Sequence, residues 1–434
     1  MQVFITLGKK IIPKRLFHAL QPLYHQLLAW LAAQWYRHPA RSLLVIGITG
    51  TNGKSTVVEM THRIFMGADV SVASISSLRL RINEKEERNE FSMTMPGRFA
   101  LQRFLARAKK AGCRVAIIEV TSEGIAQSRH CGIDFDVAAL TNITPEHIES
   151  HGSFEAYRNA KAELFKSIAQ SFRKDSAIKK TIVVNGDDER AEYFLQFDAD
   201  QKMIYLMTTP PQSPPMAIGG ENEGVVVLTA DQYEFDLKLP GAFNLANALC
   251  AAAIARSQGI PKEIIKKAIE GIKTIPGRME YIQENPFAVI VDYAHTPDAL
   301  EKMYETIKGN GRLICVLGAA GGGRDKWKRP ELGRIASSYC DEIILTNEDP
   351  YDENPKEILH QIAQGLIPRF SRYAFILNRA EAIERALRAA QQGDVVMITG
   401  KGAEPWMHME AGRLVKWDDR EKVRETLEKI KKER

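Results

Sequence analysis

The run Gly47-Ile48-Thr49-Gly50-Thr51-Asn52-Gly53-Lys54-Ser55-Thr56 lies between the apolar residues 43–46 and a helix-forming segment, which predicts strand, phosphate loop and helix in succession. Glycines let a backbone approach a phosphate closely, and the following helix points free N–H groups and its positive dipole end at the anion. Lys54 supplies a full charge and Ser55 a hydroxyl for Mg²⁺, so Gly50, Thr51, Asn52, Gly53, Lys54, Ser55 and Thr56 are the candidate nucleotide contacts. The spacing departs from G-x-x-x-x-G-K-[ST], because the position five before Gly53 is Ile48 and the glycines fall at 47, 50 and 53. The chain is therefore a nucleoside triphosphate user of a particular kind.

A loop of this type needs a parallel sheet, and the rest of the chain supplies one. Residues 116–120, 137–140, 182–184, 289–291, 313–317, 342–345 and 395–398 are short apolar runs bounded by turn residues, separated by helix-like stretches. Alternating β and α units predict an α/β fold: a phosphate-loop central domain with a mainly parallel sheet, then a Rossmann-like α/β C-terminal domain. With 434 residues, 44% of them hydrophobic, the chain is long enough for both. Strand signals restart after Ile275-Pro276-Gly277, which sets the expected division at 1–41, 42–275 and 276–434. The Pro/Gly-rich residues 207–224 are expected to be a surface loop of the central domain.

A net charge of +5 is too small to argue for a nucleic-acid partner, and no basic stripe interleaved with aromatics stands out. The five cysteines (113, 131, 250, 315 and 340) are odd in number and never in a Cys-x-x-Cys pair. That disfavours a disulfide framework or structural zinc and fits a reducing cytoplasm. Ahead of the loop, Leu16, Leu20, Leu23, Leu27 and Leu31 recur at helical spacing with Trp30, Trp35 and Tyr36 nearby, and Pro22 marks a potential break. The longest apolar run there, residues 27–33, falls far short of the roughly 18 to 20 residues of a membrane span. A helix packed on the protein or a partner subunit, a peripheral membrane helix over residues 14–37, and an export signal all remain open readings.

Glu119 ends the strand at 116–120, where ligands bind in parallel sheets, and is a candidate Mg²⁺ ligand. His147 lies in the polar run after the next strand, which would neighbour the phosphate loop. Lys161, in Tyr157-Arg158-Asn159-Ala160-Lys161-Ala162-Glu163-Leu164-Phe165, would by composition alone be a solvated helix lysine.

Taken together, residues 50–56, 119–122, 142–152 and 157–165 resemble the central domain of the Mur ligases, ATP-dependent amide-forming enzymes of cell-wall precursor synthesis. Asn185-Gly186-Asp187-Asp188, Gly241-Ala242-Phe243-Asn244-Leu245-Ala246-Asn247 and Pro276-Gly277-Arg278-Met279-Glu280 are similar to family motifs at the adenine pocket and domain junction. Asp292-Tyr293-Ala294-His295-Thr296-Pro297-Asp298-Ala299-Leu300, residues 321–329 and Gly400-Lys401-Gly402-Ala403-Glu404 resemble the muramyl-tripeptide synthetase branch.

The resemblance implies that an acceptor carboxylate attacks the ATP γ-phosphate and that an incoming amine displaces phosphate from the acyl phosphate, so charge neutralisation is the main catalytic task. It implies that Lys54 contacts the β- and γ-phosphates, that Ser55, Glu119 and His147 hold Mg²⁺, and that Lys161 is carbamylated by CO₂ into a further metal ligand. It also implies adenine reading by Asn244 and Asn247, ribose contact by Asp292 and a closure-sensing role for Arg278. Arg324, Lys326 and Lys328 are available for the migrating phosphate. The UDP-muramyl-peptide-like acceptor would meet Thr94, Ser122 and Arg129, the amino acid would meet Asp349 and Glu404, and the enzyme is expected to act as a cytoplasmic monomer.

Three departures from the family pattern stand out. About 40 residues precede the loop, where typical members carry a uridine-nucleotide-binding domain. Thr94-Met95-Pro96 and Thr121-Ser122-Glu123 replace the usual Thr-Thr-Pro and Ser-Ser-His. Glu348-Asp349-Pro350-Tyr351 replaces the Asp-Asn-Pro-Arg of diaminopimelate-adding members, which removes a bidentate carboxylate clamp. Asp352 and Glu353 would suit an ammonium instead, a slight lean toward lysine. The rival readings are a folylpolyglutamate synthase-like ligase and a non-catalytic phosphate-loop scaffold.

Overall fold

A computed structural model describes residues 14–91, 93–208, 225–309 and 311–433, with side chains from residue 21 onward. The expected loop at 207–224 therefore lies almost wholly outside the described residues, as do the side chains of Leu16 and Leu20. Among the described residues, nine strands form the first sheet: β1 (Leu44–Thr49), β2 (Val72–Ile75), β3 (Arg79–Ile82), β4 (Lys85–Arg88), β5 (Val115–Glu119), β6 (Val137–Leu140), β7 (Thr181–Asn185), β8 (Gln201–Leu206) and β9 (Val225–Thr229). Their order is β4-β3-β2-β5-β1-β6-β7-β8-β9, parallel except where β3 and β4 fold back as an antiparallel edge.

Helices Lys54–Gly67 and Ala242–Ser257 cover one face of this sheet, and Arg98–Lys110 and Phe154–Gln170 cover the other. β1 is buried on both sides, so its apolar residues run on without alternation, as in a central parallel strand. The hairpin β3–β4 is hard to read from hydrophobic period because β4 is exposed and one face of β3 is charged, only Leu80 and Ile82 packing on the core. Arg79 and Arg81 reach Glu59 at 3.0 and 2.7 Å beneath the sheet edge.

The second sheet contains β10 (Glu280–Gln283), β11 (Ala288–Val291), β12 (Leu313–Leu317), β13 (Glu342–Leu345), β14 (Tyr373–Phe375) and β15 (Val395–Ile398). Their order is β10-β11-β15-β12-β13-β14, and only β10 is antiparallel. The expected α/β class and parallel sheets are therefore present. One expectation fails: Cys315 in β12 and Cys340, two residues before β13, are joined in a disulfide. Their separation in sequence hides a pairing that the adjacency of two parallel strands creates, with Cα atoms 6.2 Å apart. Cys113, Cys131 and Cys250 are free.

The N-terminal helix runs unbroken from Lys14 to Trp35 through an exposed Pro22. It docks through its small residues Ala29, Ala32 and Ala33, which are buried, whereas Leu23, Leu27 and Leu31 face outward. Close approach explains the choice, since a Cβ on Gly132 would lie 2.8 Å from that of Ala33.

A buried ionic clamp aligns the centre of the first sheet. Asp136, fully buried just before β6, accepts the Val45 N–H of β1 at 2.8 Å and the Lys180 ammonium at 3.0 Å, and it also pairs with Lys174. Removing one member of such a cluster strands the others in low dielectric. Asp136→Ala is expected to lower unfolding free energy by about 3–5 kcal/mol in urea titration. A change below about 1 kcal/mol would show the clamp to be dispensable.

Candidate active site

The phosphate loop leaves the C-terminal end of β1 between β5 and β6, and the polar residues after β6 shape it. Thr141 Oγ1 donates to the Asn52 carbonyl at 2.6 Å, while Asn142 Oδ1 accepts the Asn52 N–H at 3.0 Å. Thr51 Oγ1 lies 3.0 Å from the Tyr157 hydroxyl. Only glycine fits two of the loop positions. A Cβ on Gly50, at φ +146°, would fall 1.9 Å from Thr141 Oγ1, and one on Gly53, at φ +84°, would fall 2.2 Å from Asn247 Oδ1.

Two lysines converge on one carbonyl. Lys54 Nζ donates to Gly50 O at 3.0 Å and Thr51 O at 2.7 Å, and Lys161 Nζ, 2% exposed, donates to the same Gly50 O at 2.8 Å. Burial pushes both ammonium pKa values down, and Lys161 falls well below the usual lysine range because Lys54 adds its charge beside it. Glu119, Glu123 and Glu146 oppose the shift without cancelling it.

Around this pair stand the carboxylates. Glu119, at the end of β5, accepts from Ser55 Oγ at 2.8 Å and the Ser77 N–H at 2.9 Å. His147 Nδ1 meets Glu123 at 2.9 Å, and Arg324 lies 3.6 Å from the same carboxylate. Burial raises the Glu123 pKa, but His147 and Arg324 outweigh it and hold the group ionised. Glu123 was legible only as a departure from the family pattern, and its partner identifies it as part of the site. Among the described residues, no three His, Cys, Asp or Glu side chains already form a metal-ligating cluster.

The second domain reaches directly into the loop. Asn52 Nδ2 donates to Asp298 at 3.1 Å and Asn52 Oδ1 accepts from Thr296 at 3.2 Å. Arg278 donates to Ser55 Oγ at 3.3 Å, its guanidinium 4.2 Å over the Tyr293 ring. Asp325 accepts the Ile148 and Glu149 N–H groups at 3.2 and 2.8 Å. Asn244 and Asn247 are both buried, Asn247 against Gly53 of the loop, and Asp292 accepts the Met279 and Ala294 N–H groups, each at 2.6 Å. Asp292 thus braces the junction as well as lining the site.

One cavity of about 1100 Å³ joins these parts. It is lined by the loop residues 50–56, Thr94, Glu119, Ser122, Arg129, His147, Lys161, Asn244, Asn247, Arg278, Asp292, Asp349 and Glu404, all named from the sequence. The basic trio divides. Arg324 and Lys328 line the cavity, but Lys328 is buried on Glu146 at 2.7 Å, and Lys326 lies outside, half-exposed and 3.7 Å from Glu353.

Asp352 and Glu353 do not offer the ammonium site expected of them. Asp352 accepts the Ala411 N–H at 2.8 Å, and Glu353 holds the buried Arg329 at 3.0 Å. Instead, Lys401 Nζ gathers the two other carboxylates, reaching Asp349 at 2.9 Å and Glu404 at 2.6 Å.

Beside them Glu348 is 4% exposed with Oε2 unpartnered, and burial together with Asp349 pushes its pKa up from 4.5 to about 7. Between those values the folded state holds the proton more tightly than the unfolded chain, so stability falls as pH rises from about 4.5 to 7. Glu348→Gln is expected to match the wild type near the bottom of that window and to exceed it by about 2–3 kcal/mol well above it, read from urea unfolding at both pH values. Equal stability at both would contradict the assignment.

Family models match most of the chain: Mur ligase middle domain over residues 48–255, and Mur ligase, glutamate ligase domain over residues 277–402. The UDP-N-acetylmuramoyl-L-alanyl-D-glutamate--2,6-diaminopimelate ligase of Halalkalibacterium halodurans is 34% identical over 401 residues, 91% of this chain and 80% of that protein. The enzyme of the same name from Synechococcus elongatus is 37% identical, over 92% of this chain and 79% of its own. A solved diaminopimelate ligase of that name superposes with a TM-score of 0.54 at 27% identity, covering 90% of this chain and 79% of the other. E. coli FolC in complex with DHPP and ADP shares the fold at a TM-score of 0.64 and 21% identity, covering 93% and 92%.

Proposed function

The chain belongs to the Mur ligase family, and from that premise we propose that it is the ATP-dependent ligase that adds lysine or diaminopimelate to a UDP-N-acetylmuramoyl-L-alanyl-D-glutamate-like acceptor in peptidoglycan precursor synthesis. The observation that carries this reading is the Lys54–Lys161 pair on the Gly50 carbonyl. One buried and one partly buried lysine at a phosphate loop call for a polyanion, and a lysine driven toward its neutral form is the species that reacts with CO₂. The free amine attacks the carbon of CO₂, one proton leaves, and Lys161 becomes a carbamate anion.

The acceptor carboxylate attacks the γ-phosphate and ADP departs. The amino acid's amine then attacks the acyl phosphate, and phosphate leaves as the amide forms. Lys54 neutralises charge on the transferring phosphoryl group, and Arg278, reaching across the junction to Ser55, couples domain closure to a filled loop. Closure also keeps water from the acyl phosphate. The Ser55 hydroxyl and Glu119 carboxylate are hard oxygen donors 2.8 Å apart, a set that suits Mg²⁺ and its preference for few carboxylates beside phosphate oxygens. His147, with Nδ1 engaged by Glu123, keeps Nε2 for the same purpose, and carbamylated Lys161 would complete the set. Bound there, Mg²⁺ would supply charge neutralisation at the phosphates.

Asn244 and Asn247 are assigned to adenine and Asp292 to ribose. Thr94, Ser122 and Arg129 are assigned to the acceptor. Asp349 and Glu404 share the single ammonium of Lys401 and so retain negative charge for the distal amine of the incoming amino acid, while Arg324 suits a carboxylate. Lysine and diaminopimelate share that amine, and Tyr351 in place of an arginine favours lysine. Domain boundaries at 41 and 275, a monomeric state and a cytoplasmic site of action belong to the same proposal. No helix among the described residues is long and apolar enough to cross a membrane.

Purified protein with ATP, Mg²⁺, UDP-N-acetylmuramyl-dipeptide and either amino acid is expected to yield the tripeptide by product mass, and no product with either would overturn the reading. Lys161→Ala is expected to lose at least about a hundredfold in kcat and to recover part of it with added formate or acetate. Full activity in that variant would remove the carbamate.

A further inference from the structure

Among its described residues, the N-terminal helix Lys14–Trp35 turns most of its large apolar side chains away from the protein. Leu23 is 63% exposed, Leu27 55%, Trp30 56%, Leu31 41% and Trp35 77%. At 100° per residue, these five and Tyr24 fall on one arc of about 140°, opposite the buried alanines, and Gln34 is its single polar member. Outward leucines and tryptophans over three turns are a contiguous apolar surface, not scattered exposure.

The charge around that surface selects its occupant. Residues 1–58 contain no aspartate or glutamate, the first acidic residue being Glu59. Lys9, Lys10, Lys14 and Arg15 precede the exposed face and Arg37 and Arg41 follow it, of which Arg41 pairs with Asp134 at 3.2 Å. A second copy of the chain would bring this unbalanced positive segment against its own like, which disfavours self-association. An anionic lipid surface meets both requirements, because headgroups attract the basic ends while tryptophan and leucine enter the boundary with the acyl chains.

We propose that this helix seats the enzyme peripherally on an anionic bilayer, lying in the plane of the interface. The same helix rests on Gly132, three residues beyond Arg129 of the cavity, so the acceptor end of the active site is tied to the element that meets the lipid.

Full-length protein is to be co-sedimented with phosphatidylcholine vesicles, with and without about one-third phosphatidylglycerol. Binding is expected with the anionic vesicles, weakening at high salt, and Leu27→Ser/Trp30→Ser/Leu31→Ser is expected to lower it by about a hundredfold with an unchanged thermal melt. Absence of binding to the anionic vesicles overturns the proposal, as does full binding by the triple variant. It is also overturned if sedimentation velocity shows a dimer that the triple variant converts to monomer while neither binds vesicles.

Discussion

The site is organised by a conflict placed on one atom. The Gly50 carbonyl accepts hydrogen bonds from Lys54 and Lys161 together, Lys161 out of water and Lys54 partly so. Without counter-charge this arrangement would be strongly unfavourable. The protein offsets it in part with Glu119, Glu123 and Glu146, whose carboxylates oppose the shift in Lys161. Burial is the larger cause of the shift that remains, and the two lysine head groups at the loop would meet nucleotide phosphates. Under the proposed carbamylation, burial and crowding would make a lysine useful at position 161, since they lower its proton affinity and favour the neutral amine that would attack CO₂.

The second constraint is that the loop is completed from outside its own domain. Asn52 is bonded to Thr296 and Asp298, Ser55 to Arg278, and Asp325 caps the turn of helix that begins at Ile148. Further out, Arg88 reaches Asp418 at 2.6 Å and the Ala403 carbonyl at 3.0 Å. These contacts hold the two sheets around the cavity. A site assembled this way can exclude water when closed and release products when the same polar contacts part, since each is modest alone.

Much of the architecture could be read from periodicity. Uninterrupted apolar runs marked the strands whose two faces are both buried, and the glycine-rich loop marked the centre of the first sheet. The strands that escaped include β3, one face of which is charged, with Arg81 turned to Glu59, and also β2, β8 and β9, whose apolar stretches the periodicity did not single out. The candidate site was legible through ordered motifs, and most of its named residues line one cavity, Lys326, Asp352 and Glu353 being the exceptions. What motifs could not supply was pairing. Nothing in the order of residues says that Glu123 orients His147, that Lys328 is taken by Glu146, or that Arg329 withdraws Glu353 from the pocket. The disulfide and the outward face of the N-terminal helix were hidden for the same reason.

By itself, the sequence determined that this chain binds a nucleoside triphosphate on a parallel α/β sheet, because glycine positions, a loop lysine and apolar period are local properties. It also determined the family, through motifs strung in a fixed order. Tertiary structure alone decided which charges compensate one another and which remain for a ligand. Lys161 illustrates the difference: on a helix surface it would be an ordinary solvated cation, and only its burial beside Lys54, from two helices whose lysines are more than a hundred residues apart, lowers its proton affinity. Electrostatic environment depends on distance through space and on the loss of water, and neither is written along the chain.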